Sequence, residues 1–264
     1  VAVFGWGVAG AAIATVIAQG FSALYCLLVL RKIRDIRLEK EDFYRQPSMS
    51  LRLLKLGTPL AIQNVIISVG GLTVQYVING FGFLFVAGFT ATNKLYGILE
   101  MAAVSYGYAI TTYVGQNLGA KKIERIKKGY HAALVLDLCF AVLAFVVIET
   151  LHTQISSLFL GKDGTALAYQ VSGDYMRWLG YFFIFMGIKM ATDGVLRGLG
   201  IMRPFLVANM VNLAIRLSVA LICAPRFGIA FVWLAVPAGW LANFLISYVA
   251  LRRSWPTDKM ASIS

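Results

Sequence analysis

Acidic side chains are scarce: Asp and Glu number 12 in 264 residues, half the count of Lys and Arg, and charged residues make up only 14% of the chain. Histidine occurs twice, cysteine three times and proline six times. Hydrolytic and metal chemistry need clustered carboxylates, imidazoles or thiolates. His131 and His152 lack a ligand partner at helical spacing, and no HExxH, CxxC or phosphate loop occurs. Cys26, Cys139 and Cys223 lie far apart inside apolar runs, with no metal or redox spacing. They read as small core or lipid-facing residues. The net charge of +12 would suit nucleic acid only if a soluble domain gathered it on one face. Here the charges fall between apolar runs. The sequence therefore argues against an enzyme and against a nucleic-acid partner.

What is abundant is hydrocarbon. Apolar residues make up 59% of the chain, against roughly 45–50% in soluble domains. That excess calls for the lipid bilayer as solvent, where a spanning helix needs roughly 20 mostly apolar residues. Seven apolar segments are expected, at about 7–30, 57–79, 84–113, 131–158, 173–196, 204–224 and 228–251. The second is expected to open at Gly57-Thr58-Pro59, since proline suits the first turn of a helix. Phe81-Gly82 reads as a tight turn, and Pro237 as a kink in the last segment. In the first segment small residues recur every four positions (Gly7, Ala11, Thr15; Gly10, Ala14, Ala18, Ser22), which lets a neighbouring helix approach closely in lipid.

Loop charge sets the orientation. Eighteen basic residues fall on one side, in the stretches 31–55, 121–128, 197–203 and 252–259, against Lys162 and Arg226 on the other. The long polar linker and the C-terminus are therefore expected to be cytoplasmic, with Val1 outside, in a multi-pass protein of the cell membrane. A chain opening inside an apolar run, without Met, is expected to be part of a longer protein. The opening Val1-Ala2-Val3-Phe4-Gly5-Trp6-Gly7-Val8-Ala9-Gly10 matches a strand followed by GxGxxG, the dinucleotide pattern. No acidic residue closes a second strand before Arg31, and no strand–helix alternation follows. Loop glycines before a small-residue membrane helix account for the same letters.

An ionisable residue inside a spanning helix is costly and marks a functional site by default. Glu100, near the middle of the third segment, is the first candidate, with Tyr96 on its face at i−4. Asp193 is the second, with Lys189 at i−4 as a simple ion-pair partner. Arg216 lies deep enough to need a counter-ion, which Glu100 or Asp193 could supply. Gln63, Asn64, Gln75, Tyr96, Tyr106, Asn209 and Asn212, with Arg216, are candidates for lining a polar cavity; they could equally bond between helices. Asp137, Glu149, Asp174 and Arg177 read as interfacial.

Several stretches together resemble the multidrug and toxic compound extrusion (MATE) transporters. Gly7-Val8-Ala9-Gly10-Ala11-Ala12-Ile13-Ala14-Thr15 is similar to the sixth helix of that family, and Leu56-Gly57-Thr58-Pro59 to the start of its second lobe. Val114-Gly115-Gln116-Asn117-Leu118-Gly119-Ala120-Lys121-Lys122 resembles the loop between the second and third helices of a lobe. Leu196-Arg197-Gly198-Leu199-Gly200 followed by Pro204 fits the end of a fourth helix. The resemblance implies an all-α polytopic transmembrane helix bundle of about seven helices. Residues 1–30 would be the last helix of the first lobe, 31–50 a cytoplasmic linker, and 51–264 a six-helix second lobe whose N-terminal partner lobe is missing. It further implies export of cationic or amphipathic drug-like molecules in exchange for H⁺ or Na⁺ by alternating access, with no other cofactor and no bound metal. Some family members carry acidic residues on the helix after the proline. Here Pro59 is followed by no carboxylate before Glu100, which leaves Glu100 and Asp193 as the coupling candidates. A lipid-linked oligosaccharide or lipid flippase of the same superfamily is an alternative, as is an inactive or dimerising half-transporter. The flippase would want a ring of cations, for which only Lys94, Lys189 and Arg216 are available.

Overall fold

The computed structural model describes residues 6–33, 44, 46–161 and 164–255. Among them it is all-helical. The seven helices are α1 (Gly7–Leu30), α2 (Pro47–Gly80), α3 (Phe83–Gly119), α4 (Ile123–Leu160), α5 (Ala166–Gly198), α6 (Met202–Phe227) and α7 (Ala230–Arg253). All except α3 are long and apolar enough to cross a membrane; α3 is long enough, but is diluted by Tyr, Thr, Asn, Lys and Glu. The chain is thus a polytopic membrane helix bundle, as expected. It divides into two compact units, Val1–Arg52 and Leu53–Ser264.

In the first unit α1 has no buried residue, and its small-residue face meets no neighbour there. Gly7 begins this helix, so the second half of the glycine pattern is helical. Residues 1–5, where the strand of a dinucleotide fold would lie, fall outside the described residues, as do 34–43 and 45 of the linker, and Lys162.

Several boundaries lie outside the expected segments: α3 runs on to Gly119, α5 starts already at Ala166, and two further starts are instructive. Helix α2 starts at Pro47 and carries Pro59 inside it. The first-turn rule was applied to the wrong proline: Gln46-Pro47 opens the helix, and the carbonyl that Pro59 leaves unbonded is one lost bond in a long helix. Helix α4 starts at Ile123 and so takes in Lys127 and Lys128. Within α6 the turn Val219–Cys223 widens to a π-helix. Pro225, just beyond, has no N–H for Leu221 and its ring presses on that carbonyl, which a wider turn relieves.

Two of the family-like motifs, at 114–122 and 196–204, are helix stops. Lys122 N–H donates to Asn117 O at 2.8 Å and Lys121 N–H to Leu118 O at 2.9 Å, with Lys121 in the left-handed region at φ 57°. Ile201 N–H donates to Leu196 O at 2.9 Å and Gly200 N–H to Arg197 O at 3.0 Å, with Gly200 at φ +74°. Both are Schellman ends, so α3–α4 and α5–α6 reverse direction within a few residues.

Helix α5 is the hub of the second unit, packed on α3, α4 and α7 and buried along most of its length. With apolar lipid outside, close backbone approach and hydrogen bonds bind such helices, rather than expulsion of water. A Cβ on Gly194 would lie 2.6 Å from Gly107 O, so only glycine allows α3 and α5 to approach this closely. Thr111 Oγ1 donates to Gly194 O at 3.1 Å beside this contact. Phe89, Tyr175 and Trp233 stack across α3, α5 and α7, with centroids 4.2 Å apart for Tyr175–Trp233.

Candidate functional site

Asp193 on α5 is a fully buried acid of the second unit. Its Oδ2 lies 3.2 Å from Lys189 Nζ one turn earlier, and its Oδ1 accepts from Ser247 Oγ on α7 at 2.7 Å. Asn209 Nδ2 on α6 donates to Phe205 O at 2.8 Å and reaches Asp193 Oδ2 at 3.5 Å. Gln63 Nε2 on α2 donates to Asn209 Oδ1 at 3.3 Å. Side chains of three helices, α5, α6 and α7, therefore meet on one carboxylate, and α2 joins the network through Asn209. Lys189, Gln63, Asn209, Asn243 and Ser247 are all buried as well, and Asn243 Nδ2 has no hydrogen-bond partner. Isolated, either charge would be prohibitively costly in hydrocarbon; paired and hydrogen-bonded, the two are tolerated.

Glu100 on α3 is half-buried and bound differently. Its Oε1 accepts from Tyr96 Oη at 3.2 Å, and among the described residues no cation stands within ion-pair distance. Arg216 on α6 and Lys189 on α5 are the cations that act on it through space. Tyr96 stacks on Trp240 of α7 at 6.2 Å between centroids, so the hydroxyl that holds Glu100 is itself fixed by ring packing. Arg216 lies against Gly70 of α2 and Gly239 of α7, and its Nε is buried without a hydrogen bond. The expected counter-ion contact with Glu100 or Asp193 is not made: Asp193 is taken by Lys189.

The other candidates divide. Gln63 and Asn209 join the Asp193 network and Tyr96 joins Glu100. Asn212 is buried on α6 with its Oδ1 pressed on Gly239 and unbonded. Asn64 points outward from α2, Gln75 donates to Asn79 Oδ1 of its own helix at 2.8 Å, and Tyr106 packs on Phe140 of α4. These last three do not join either acid. Ser247 and Asn243 were not anticipated; they read as ordinary small polar residues on an apolar helix, and only the seating of α7 on α5 reveals them. Asp137, expected at the interface, is instead 3% exposed, with its side chain against Gly187 of α5 and Oδ2 unpartnered. It was read as interfacial from its place toward a helix end, which carries no sign that α4 turns this face onto α5. Glu149 and Arg177, by contrast, form a half-exposed pair at 3.6 Å.

Long apolar helices with embedded acids and polar networks between them define a polytopic membrane protein. Residues 59–222 match the family described as MatE, and the chain belongs to that family. It is 29% identical over 213 residues to the probable multidrug resistance protein YpnP of Bacillus subtilis (strain 168), covering 80% of this chain and 47% of that protein. It is 26% identical over 235 residues to the probable multidrug resistance protein NorM of Thermotoga maritima, covering 88% and 50%. The chain thus spans about half the length of the curated relatives it matches. Among solved structures, a MOP superfamily transporter from Pyrococcus furiosus superposes with a TM-score of 0.87 at 19% identity, over 97% of this chain and 58% of that one. The Vibrio cholerae MATE transporter VcmN (D35N mutant) gives 0.83 at 22% identity, over 95% and 57%. These likenesses are of fold.

Proposed function

We propose that this chain is the second lobe, with the preceding helix and linker, of a secondary antiporter that exports cationic or amphipathic compounds in exchange for H⁺ or Na⁺. Residues 1–30 would close the first lobe, 31–50 would link the lobes on the cytoplasmic side, and 51–264 would form the six-helix lobe. The carrying observation is Glu100: a carboxylate in mid-helix, steadied by Tyr96 and left without an ion pair. Such a group gains most from a cation supplied from outside. A proton, a sodium ion or a drug cation neutralises the same charge, so binding of one disfavours the others, which is the requirement for exchange. The stacked Tyr96–Trp240 pair beside it offers ring faces to an organic cation.

Asp193 is the second acid of this reading. Lys189 occupies it in the conformation described and, after Arg216, is also a cation that acts on Glu100. A cation arriving at Glu100 repels Lys189, and any movement of Lys189 loosens a network tying α2, α5, α6 and α7. That coupling is how a bound charge could bias one packing of the lobe over another.

Drug accumulation in cells expressing the full-length protein, with Na⁺ and pH varied separately, tests the proposal. Active efflux should depend on one of the two gradients; accumulation indifferent to both gradients would reject it. A second reading, a lipid-linked oligosaccharide or lipid flippase, is favoured by one observation: Arg216 on α6 holds a buried Nε with no hydrogen-bond partner. Competition by a lipid pyrophosphate for the drug site would support it.

A further inference from the structure

The basic end of the second unit carries a pocket of about 290 Å³ between the first turns of α4 and the last turn of α7, lined by Lys127, Tyr130, His131, Tyr248, Arg252 and Trp255. We propose that it binds the phosphodiester headgroup of an anionic phospholipid. This goes beyond the transport reading and does not depend on it.

Three independent features carry the assignment. The first is charge. Lys127 and Arg252 face the pocket from different helices, and among the described residues neither has an ion-pair partner. Arg252 lies over the Tyr248 ring at 5.5 Å, which orients the guanidinium without neutralising it. Helix α7 contains no acid, and the acid nearest on α4, Glu124, is exposed and outside the lining. The second is level. Trp and Tyr gather where hydrocarbon meets water, and Tyr248 and Trp255 flank Arg252 at the end of α7. Lys127 and His131 stand where α4 passes from polar to apolar sequence. Headgroup phosphates lie at this depth.

The third is the path leading away. From Tyr248, the same face of α7 continues through Leu245 and Leu241, which are exposed. From His131, the same face of α4 continues through Val135, Leu138 and Val142, also exposed. Side chains three, four and seven residues apart share a helix face. Two apolar stripes therefore run from a cationic pocket toward the bilayer centre, the layout for one phosphate and two acyl chains. A soluble phosphate would use the pocket but not the stripes. Fixed lipid here would clamp the start of α4 to the end of α7, beside the Tyr130–Thr192 hydrogen bond at 2.9 Å that joins α4 to α5.

The test uses the full-length protein in detergent, with native mass spectrometry and thermal shift as readouts. The probes are phosphatidylglycerol, phosphatidylcholine and glycerol 3-phosphate. Phosphatidylglycerol should bind and stabilise; phosphatidylcholine should not. The double variant Lys127→Gln, Arg252→Gln should bind phosphatidylglycerol roughly 30-fold more weakly, the equivalent of about 2 kcal/mol for two interfacial charges. Lys121→Gln with Lys122→Gln, outside the lining, should leave binding unchanged. If the first double variant fails to elute as a single species, His131→Gln with Trp255→Leu replaces it, with at least a several-fold loss expected. Wild-type affinity in the pocket variants, equal binding of phosphatidylcholine, or equal loss in the Lys121/Lys122 control would overturn the proposal. Binding of glycerol 3-phosphate as tight as that of phosphatidylglycerol would reassign the pocket to a soluble phosphate ester and overturn the lipid assignment.

Discussion

Lys189 and Asp193 offer a sharp perturbation, because among the described residues each is the other's only ion-pair partner, in a dry setting: their side chains are 3% and 0% exposed, with 3.2 Å between Nζ and Oδ2. Asp193→Asn keeps the shape and keeps an oxygen for Ser247, but strands the ammonium. Lys189→Met keeps the length and strands the carboxylate. Breaking one side of a buried pair costs about 3–5 kcal/mol. At roughly 2–4 °C per kcal/mol for a domain of this size, each single variant should unfold on the order of 10 °C below wild type. The double variant leaves no charge behind, and replacing both members of a buried pair is often neutral. It should recover to within about 1 kcal/mol, a coupling far outside additivity. Scanning fluorimetry of the detergent-purified full-length protein reads all three. Single variants that melt with wild type, or a double variant that loses the sum of the singles, would refute the claim that the pair is desolvated and mutual. Under the transport proposal the recovered double variant still fails to export, separating the structural from the functional share of Asp193.

Two further outcomes follow from the packing. Gly194→Ala places a methyl 2.6 Å from Gly107 O, so α3 and α5 must part; about 1–3 kcal/mol is expected from such overpacking, read as a lowered melting temperature. Asp137→Leu removes a buried carboxylate whose Oδ2 has no partner. Stability should hold or rise, because an unpaired polar group is costly to bury; a marked fall would show that Asp137 has a partner in the folded membrane protein.

The bundle was legible because hydrocarbon leaves few choices. Without water to bond the backbone, an apolar run of sufficient length must be helical, and the Gly82 and Gly200 turns carry their own punctuation. Even α3, too polar to meet a hydropathy criterion alone, was placed by its flanking turns. Boundaries were less legible: Pro47 and Pro59 are equally good helix openers by local rules, and only the polar stretch before Pro47 separates them. The site was legible in part. Glu100 and Asp193 declare themselves as acids in apolar sequence, and Tyr96 is found by counting one turn back. Which way Asn64 or Gln75 points is not written locally, since α2 is apolar on several faces and its phase is fixed by what packs on it. Ser247 is 54 residues from Asp193, and no spacing rule links them. Asp137 was misread for the same reason: depth follows from position along a helix, but burial follows from the neighbouring helix, here Gly187 on α5.

The most direct measurement is equilibrium binding of a lipophilic organic cation to the full-length protein, with competition by Na⁺ and by acid, in wild type and in Glu100→Gln. The account predicts that wild type binds the cation and releases it to one of the two competitors. Glu100→Gln should elute as a single species like wild type, yet bind at least about tenfold more weakly and show no competition. Binding and competition undiminished in Glu100→Gln would contradict it.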